Sequence, residues 1–214
     1  MTRRNNYKSR LILVGFFILI VGLAVFLFTP LKRVKEEVFN DMRLAIYQQQ
    51  INQDNDALKN IDSNDISSIS GDVTVEENPE AYMYVGELSI PSIQLKRGFV
   101  SKDSEYNNIN YNIQIAKESD YPSVRNGNFI LMAHSGDAAI SFFDSLYKLQ
   151  LGDVATVSYQ AKAYYYRLVK MYDVEKTGKV AIYRDYDKRT LTLITCTRNN
   201  ANKQSIYIFE ETNE

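Results

Sequence analysis

The sequence predicts a mainly β protein: a closed β-barrel of about seven to eight strands with one or two short helices, preceded by an N-terminal transmembrane helix. Three observations carry this. Seven β-branched or aromatic runs, separated by Gly, Asp and Asn, fill the chain after residue 80. A single helical spacing interrupts them. One long uncharged stretch near the N-terminus has the length of a membrane span.

Residues 1–10 read as a cytoplasmic tail and Leu11–Thr29 as the span, a stretch without a charge that as a helix crosses most of a bilayer's hydrocarbon. A cleaved signal peptide would be shorter and end in small residues, whereas Phe26-Leu27-Phe28-Thr29-Pro30 stands here. Arg3, Arg4, Lys8 and Arg10 precede the span, against Lys32, Arg33 and Lys35 after it, which favours an inside N-terminus by a narrow margin. The expected location is therefore the cell membrane, single-pass, with the folded domain outside.

Residues 30–80 read as stalk and linker. Val38, Met42, Ile46 and Ile51 fall loosely on one helical stripe, and Asp62–Gly71 then turns small and polar. Removing residues 1–80 is expected to leave a folded domain, 81–214. Its strands are expected at Tyr82–Ile90, Asn128–His134, Val154–Tyr159, Ala163–Val174, Lys179–Tyr183, Thr190–Cys196 and Gln204–Phe209. The helix is expected where Ile140, Phe143, Leu146, Tyr147 and Leu149 recur at three-to-four spacing, ending at Gly152-Asp153. Closure into a barrel removes exposed strand edges.

A net charge of -1 gives no electrostatic footprint for nucleic acid. One cysteine closes no intramolecular disulfide and supplies no multi-thiolate metal site. No cofactor or metal is called for. Asp137, Asp144 and Asp153 read as turn and surface residues rather than a calcium loop.

The single histidine, His134, and the single cysteine, Cys196, each end a strand-like run. A thiol attacks only as thiolate, and imidazole is the side chain best able to trade its proton near neutral pH. If the chain is a cysteine enzyme, this pair is forced. From composition alone a buried structural Cys and a satisfied His remain the commoner outcome. Strand alternation puts Leu191, Leu193 and Thr195 on one face, and Thr190, Thr192, Ile194 and Cys196 on the other, which favours a thiol opening on an outer groove.

Thr190-Leu191-Thr192-Leu193-Ile194-Thr195-Cys196 resembles the sortase signature, Thr-Leu-x-Thr-Cys on a strand ending in the nucleophile. Gly127–His134 is similar to the strand that carries that family's histidine. Phe142-Phe143, Leu146, Leu149 and Gly152-Asp153 resemble the segment after it, and Leu88-Ser89-Ile90-Pro91-Ser92-Ile93 the opening of the catalytic domain. The matches keep the family's order from about residue 84 to 209.

The resemblance implies a membrane-anchored cysteine transpeptidase of a Gram-positive type of surface. Cys196 would attack a carbonyl in the C-terminal sorting motif of a secreted protein and hold the acyl group as a thioester. An amine of a peptidoglycan precursor, or of another surface protein such as a pilin, would release it, with His134 moving the proton. Sortases normally carry an arginine on the strand after the cysteine, just before an apolar run, to bind substrate and the developing oxyanion. Here Lys203, Gln204 and Ser205 precede Ile206-Tyr207-Ile208-Phe209 instead. Arg198 is the nearest guanidinium in sequence and the candidate third catalytic residue, with Gln204 and Lys203 as alternatives. Thr195 and Gln204 are the candidate substrate-binding residues. The connection from Val174 to Arg189 is too short for the extra helix of one heme-associated class, and a protein-anchoring type is favoured over a pilus polymerase. Two other readings stand beside this one: a membrane-anchored barrel that binds wall peptides without cutting them, and a papain-like protease, whose order of Cys and His is the reverse.

Overall fold

The computed structural model describes residues 3–59 and 83–213, and within 3–59 it describes side chains at 10–23, 34, 35 and 37–52. Helix α1, Arg3–Lys59, runs through the expected span and stalk. Among the described residues no helix is long and apolar enough to cross a membrane; the expected span extends past residue 23 into side chains outside them. The linker expected up to residue 80 also lies outside. The chain divides into two units, Met1–Phe39 and Asn40–Glu214.

The second unit is built on one eight-stranded sheet. Its strands are β1 (Tyr84–Ile90), β2 (Leu95–Val100), β3 (Gln114–Ile115), β4 (Asn128–Met132), β5 (Val154–Tyr159), β6 (Lys162–Glu175), β7 (Thr190–Cys196) and β8 (Lys203–Glu211). Their spatial order is β2-β1-β5-β6-β8-β7-β4-β3, and only β4 and β7 run parallel. The barrel is nearly closed. Between the two edge strands the link is a side chain: Asn107 donates to the carbonyls of Lys102 and Ile115, both at 3.0 Å, and accepts the Ile115 N–H at 2.7 Å.

Alternation along the strands sorts side chains to two sides. Phe129, Leu131, Leu191, Leu193, Tyr207 and Phe209 fill the interior with Leu88, Phe99 and Tyr166. On the opposite face of the same strands Ile130, Ile194, Ile206 and Ile208 form a smaller apolar patch, flanked by Met132, Tyr172, Val174, Val180 and Ile182. Close packing also fixes Gly86 of β1: a Cβ there would stand 2.1 Å from the Phe99 ring and 2.7 Å from the Ser158 carbonyl oxygen.

Strand β6 serves both sides because it carries an irregularity. Leu168 pairs with Phe209 and Lys170 with Ile208, so one extra residue stands between them. A bulge of this kind reverses which parity faces inward. Tyr164, Tyr166 and Leu168 therefore face the core, whereas Tyr172 and Val174 lie on the outer patch.

Two expected elements are absent. The helix expected over Ile140–Leu149 is a series of turns ending in a short 3-10 turn, Leu146–Lys148. Its spacing buries Phe142, Phe143, Leu146 and Leu149 without a regular helix, because the segment is too short to nucleate one unaided and the Phe143 N–H bonds to the His134 carbonyl at 2.9 Å. The strand expected at Lys179–Tyr183 is irregular. Its backbone groups go to a side chain: the Tyr172 hydroxyl donates to the Ala181 carbonyl and accepts the Tyr183 N–H, both at 2.9 Å. No helix forms in 176–189, as its length implies.

Residues 40–51 of α1 pack on the barrel, contrary to the expectation that 1–80 contribute nothing to the domain. Leu44 and Tyr47, 4% and 6% exposed, cluster with Tyr84 and Val100, with Ile51 and Tyr106 at the margin. Buried Asn40 donates to the Lys96 carbonyl at 3.3 Å and accepts from the Tyr84 hydroxyl at 3.2 Å. The Tyr47 hydroxyl donates to the Ser158 carbonyl at 3.4 Å, and Gln48 to Glu87 at 3.3 Å. The buried positions 40, 44 and 47, with half-buried 51, form the helical stripe, while Val38, Met42 and Ile46 are exposed.

Candidate active site

Parallel pairing of β4 and β7 sets the site. Asn128 pairs with Thr190 and, four steps on, Met132 with Ile194, and the Ala133 N–H continues the ladder to the Ile194 carbonyl at 3.3 Å. His134 and Cys196 each stand two residues beyond the last pair, Met132 and Ile194, where β4 has ended and β7 ends. Both side chains are half-buried. Cys196 shares the face of Ile194 by alternation along β7.

The row continues across the sheet. Cys196 pairs with Gln204 of β8, and Gln204 with Val174 of β6. The outer face thus carries Cys196, Gln204 and Val174 side by side, above the apolar row of Met132, Ile194, Ile206 and Tyr172. Gln204 stands beside the thiol's strand position as the expected substrate-binding residue. Lys203 alternates away and pairs with Glu175 at 3.5 Å.

Around the thiol the backbone is held from both sides. Ser135 donates to the Cys196 carbonyl at 2.7 Å, and Thr195 to the Ala133 carbonyl at 2.9 Å. Thr195 is buried but lines the neighbouring cleft, so its hydroxyl ties β7 to β4 next to the pair. That cleft, about 600 Å³, is bounded by Ser135, Asp144, Tyr147, Cys196, Arg198 and Ser205 among others. Arg198 enters it stacked on Tyr147, its guanidinium carbon 4.0 Å from the ring centre. Ser205, just before the apolar run, donates to Asp173 at 2.7 Å. Burial, and then the Asp173 carboxylate, push the Tyr207 phenol up, so it lines the cleft uncharged.

Two neighbours of the thiol carried no signal in the sequence. Ser135 follows the histidine at no recognisable spacing from Cys196. Lys176, just past β6, brings its Nζ to 3.6 Å from the Cys196 Sγ. Only the strand pairing places these residues together, and pairing order does not follow from hydrophobic pattern.

A lone thiol at the end of β7, open to a polar cleft, with the histidine just past the end of the parallel neighbour β4, suits the nucleophile of a cysteine enzyme. The Sortase domain model matches residues 88–211. The chain belongs to the sortase family and is a cysteine transpeptidase. It matches no curated protein. Among solved structures it is similar to the Sortase D5 transpeptidase of Clostridium perfringens (20% identity, TM-score 0.52, 61% of this chain and 79% of that one). It is also similar to sortase A of Corynebacterium diphtheriae (20%, 0.55, 61% of each chain). Sortase C1 of Streptococcus agalactiae gives 24%, 0.52, 61% of this chain and 68% of that one. At these identities the structural likeness speaks for the fold alone.

Proposed function

We propose that the protein is a membrane-anchored transpeptidase of a Gram-positive type of surface, held by Leu11–Thr29 with its catalytic domain outside. Its substrates are secreted proteins bearing a C-terminal sorting motif. Cys196 attacks the motif's carbonyl carbon, a C–S bond forms, and the tetrahedral adduct collapses with loss of the downstream peptide as its amine. His134 gives that amine its proton and later takes one from the incoming cell-wall or pilin-type amine, which regenerates the thiol. Gln204 contacts the motif on the outer face, with Thr195 at the edge of the cleft. Arg198 reaches substrate from the cleft side.

The parallel register of β4 and β7, whose last pair stands two residues before His134 and Cys196, supports this reading most directly. The test is single-turnover loading of Cys196 by sorting peptides, read as a mass increase on the intact protein. Loading is expected in the wild type, absent in Cys196→Ala, and about 10² to 10⁴ slower in His134→Ala. A wild type that binds such peptides but forms no adduct would instead make the chain a non-cutting binding module, the reading favoured by Lys203, Gln204 and Ser205 standing where an arginine is expected.

A further inference from the structure

Three cations approach the thiol in sequence or space, and the fold separates them. Lys203 lies on the other face, paired with Glu175. Arg198 is stacked on Tyr147 in the cleft. Lys176 alone has its charged atom on the sulfur, 3.6 Å from Sγ. We propose that Lys176 is a catalytic residue that supplies, from the end of β6, the positive donor that β8 does not bring to the thiol.

The backbone delivers it there for a definite reason. The bulge between Leu168 and Lys170 turns the later even-numbered residues of β6 outward, and Val174 joins the row of Cys196 and Gln204. Lys176 follows two residues on, on the same face, and its N–H bonds to the Asn202 carbonyl at 2.8 Å. That bond fixes the start of the side chain against the β7–β8 connection, and the four-carbon stem then spans to Sγ.

A cation at the sulfur acts twice. Before attack it stands as a hydrogen-bond donor to the sulfur nucleophile. During attack the carbonyl π pair moves onto oxygen while the C–S bond forms, and the ammonium donates a hydrogen bond to that oxyanion next to the sulfur it leaves. Lys176 transfers no proton; the proton on the departing amine comes from His134. An ammonium is a point charge without the planar fork of a guanidinium, so it needs no fixed approach angle, consistent with its arrival from a different strand.

This rests on the transpeptidase reading, and two assays on the full chain separate the two. Lys176→Gln is expected to slow single-turnover peptide loading about 10² to 10³-fold, the usual cost of an oxyanion donor. Lys176→Arg should recover most of the rate, and Lys162→Gln, at the opposite end of β6, should load like the wild type. Iodoacetamide alkylation of Cys196 at neutral pH needs no sorting peptide, and it too should slow in Lys176→Gln and recover in Lys176→Arg. Wild-type alkylation and loading in Lys176→Gln would overturn the assignment. Failure of every peptide to load the wild type would count against the transpeptidase reading, while alkylation still decides the role of Lys176 at the sulfur.

Discussion

Leu44 tests whether α1 is a tether or part of the domain. Its side chain is 4% exposed against Tyr84 and Val100, whereas Ile46, two residues on, is 45% exposed. Truncating a buried leucine costs about 2–5 kcal/mol, with the lower end expected where a cluster at the edge of a barrel can partly collapse. We therefore expect Leu44→Ala to lose about 2–3 kcal/mol and Ile46→Ala to stay within about 0.5 kcal/mol. For a domain of this size the first figure corresponds to a fall in Tm of roughly 5–10 °C. Thermal and urea unfolding of the two variants give the comparison directly. A chain begun at Asn40 should unfold like the intact protein, and one begun at residue 81 should be less stable than Leu44→Ala, since it also loses Tyr47 and the Asn40 hydrogen bonds. Equal midpoints for Leu44→Ala and Ile46→Ala, or for the two truncated chains, would refute the docking.

Two further outcomes concern tyrosines. Burial, then Glu87 and Tyr159, push the Tyr47 phenol up from 10.0 to about 12, so the folded state favours its neutral form. That stability is whole below pH 10 and is lost as pH rises through about 12; urea midpoints across this window should fall, and fall less steeply in Tyr47→Phe. The Tyr166 hydroxyl is fully buried with no hydrogen-bond partner among the described residues, and burial raises its phenol as well. Tyr166→Phe removes that unsatisfied group and should raise stability by about 1 kcal/mol, seen as a higher Tm, whereas a loss of that size would mean that the hydroxyl is satisfied in solution.

Local pattern found what local physics controls. Val154–Tyr159 and Thr190–Cys196 are strands at the expected bounds because each alternates cleanly or is buried throughout between turn residues. Leu95–Val100 was missed: Lys96, Arg97 and Gly98 hide a strand that exists because the Pro91–Ile93 turn folds it back on β1. The Lys179–Tyr183 run alternates like a strand, yet Tyr172 takes its backbone bonds. Cys196 on an outer face was readable from alternation alone, but its neighbours were not. Ser135 and Lys176 reach the thiol through a parallel pairing and a bulge, and neither leaves a mark in residue spacing.

The strand order has a consequence for how the protein is made. Strand β8 lies between β6 and β7, although it follows both in the sequence. Strands β1, β2, β5 and β6 can pair as they emerge, by hairpins and one longer return. β4 and β7 can join that sheet only after β8 has been synthesised and inserted. Until then the histidine strand meets the rest only at its β3 side, through Asn107, and the thiol emerges before the strand that fixes it. Any ordering of the catalytic region therefore follows the emergence of β8 from the ribosome. In ribosome-bound chains extended at the C-terminus, pulsed alkylation should find Cys196 reacting as an unstructured thiol until residue 211 has cleared the exit tunnel.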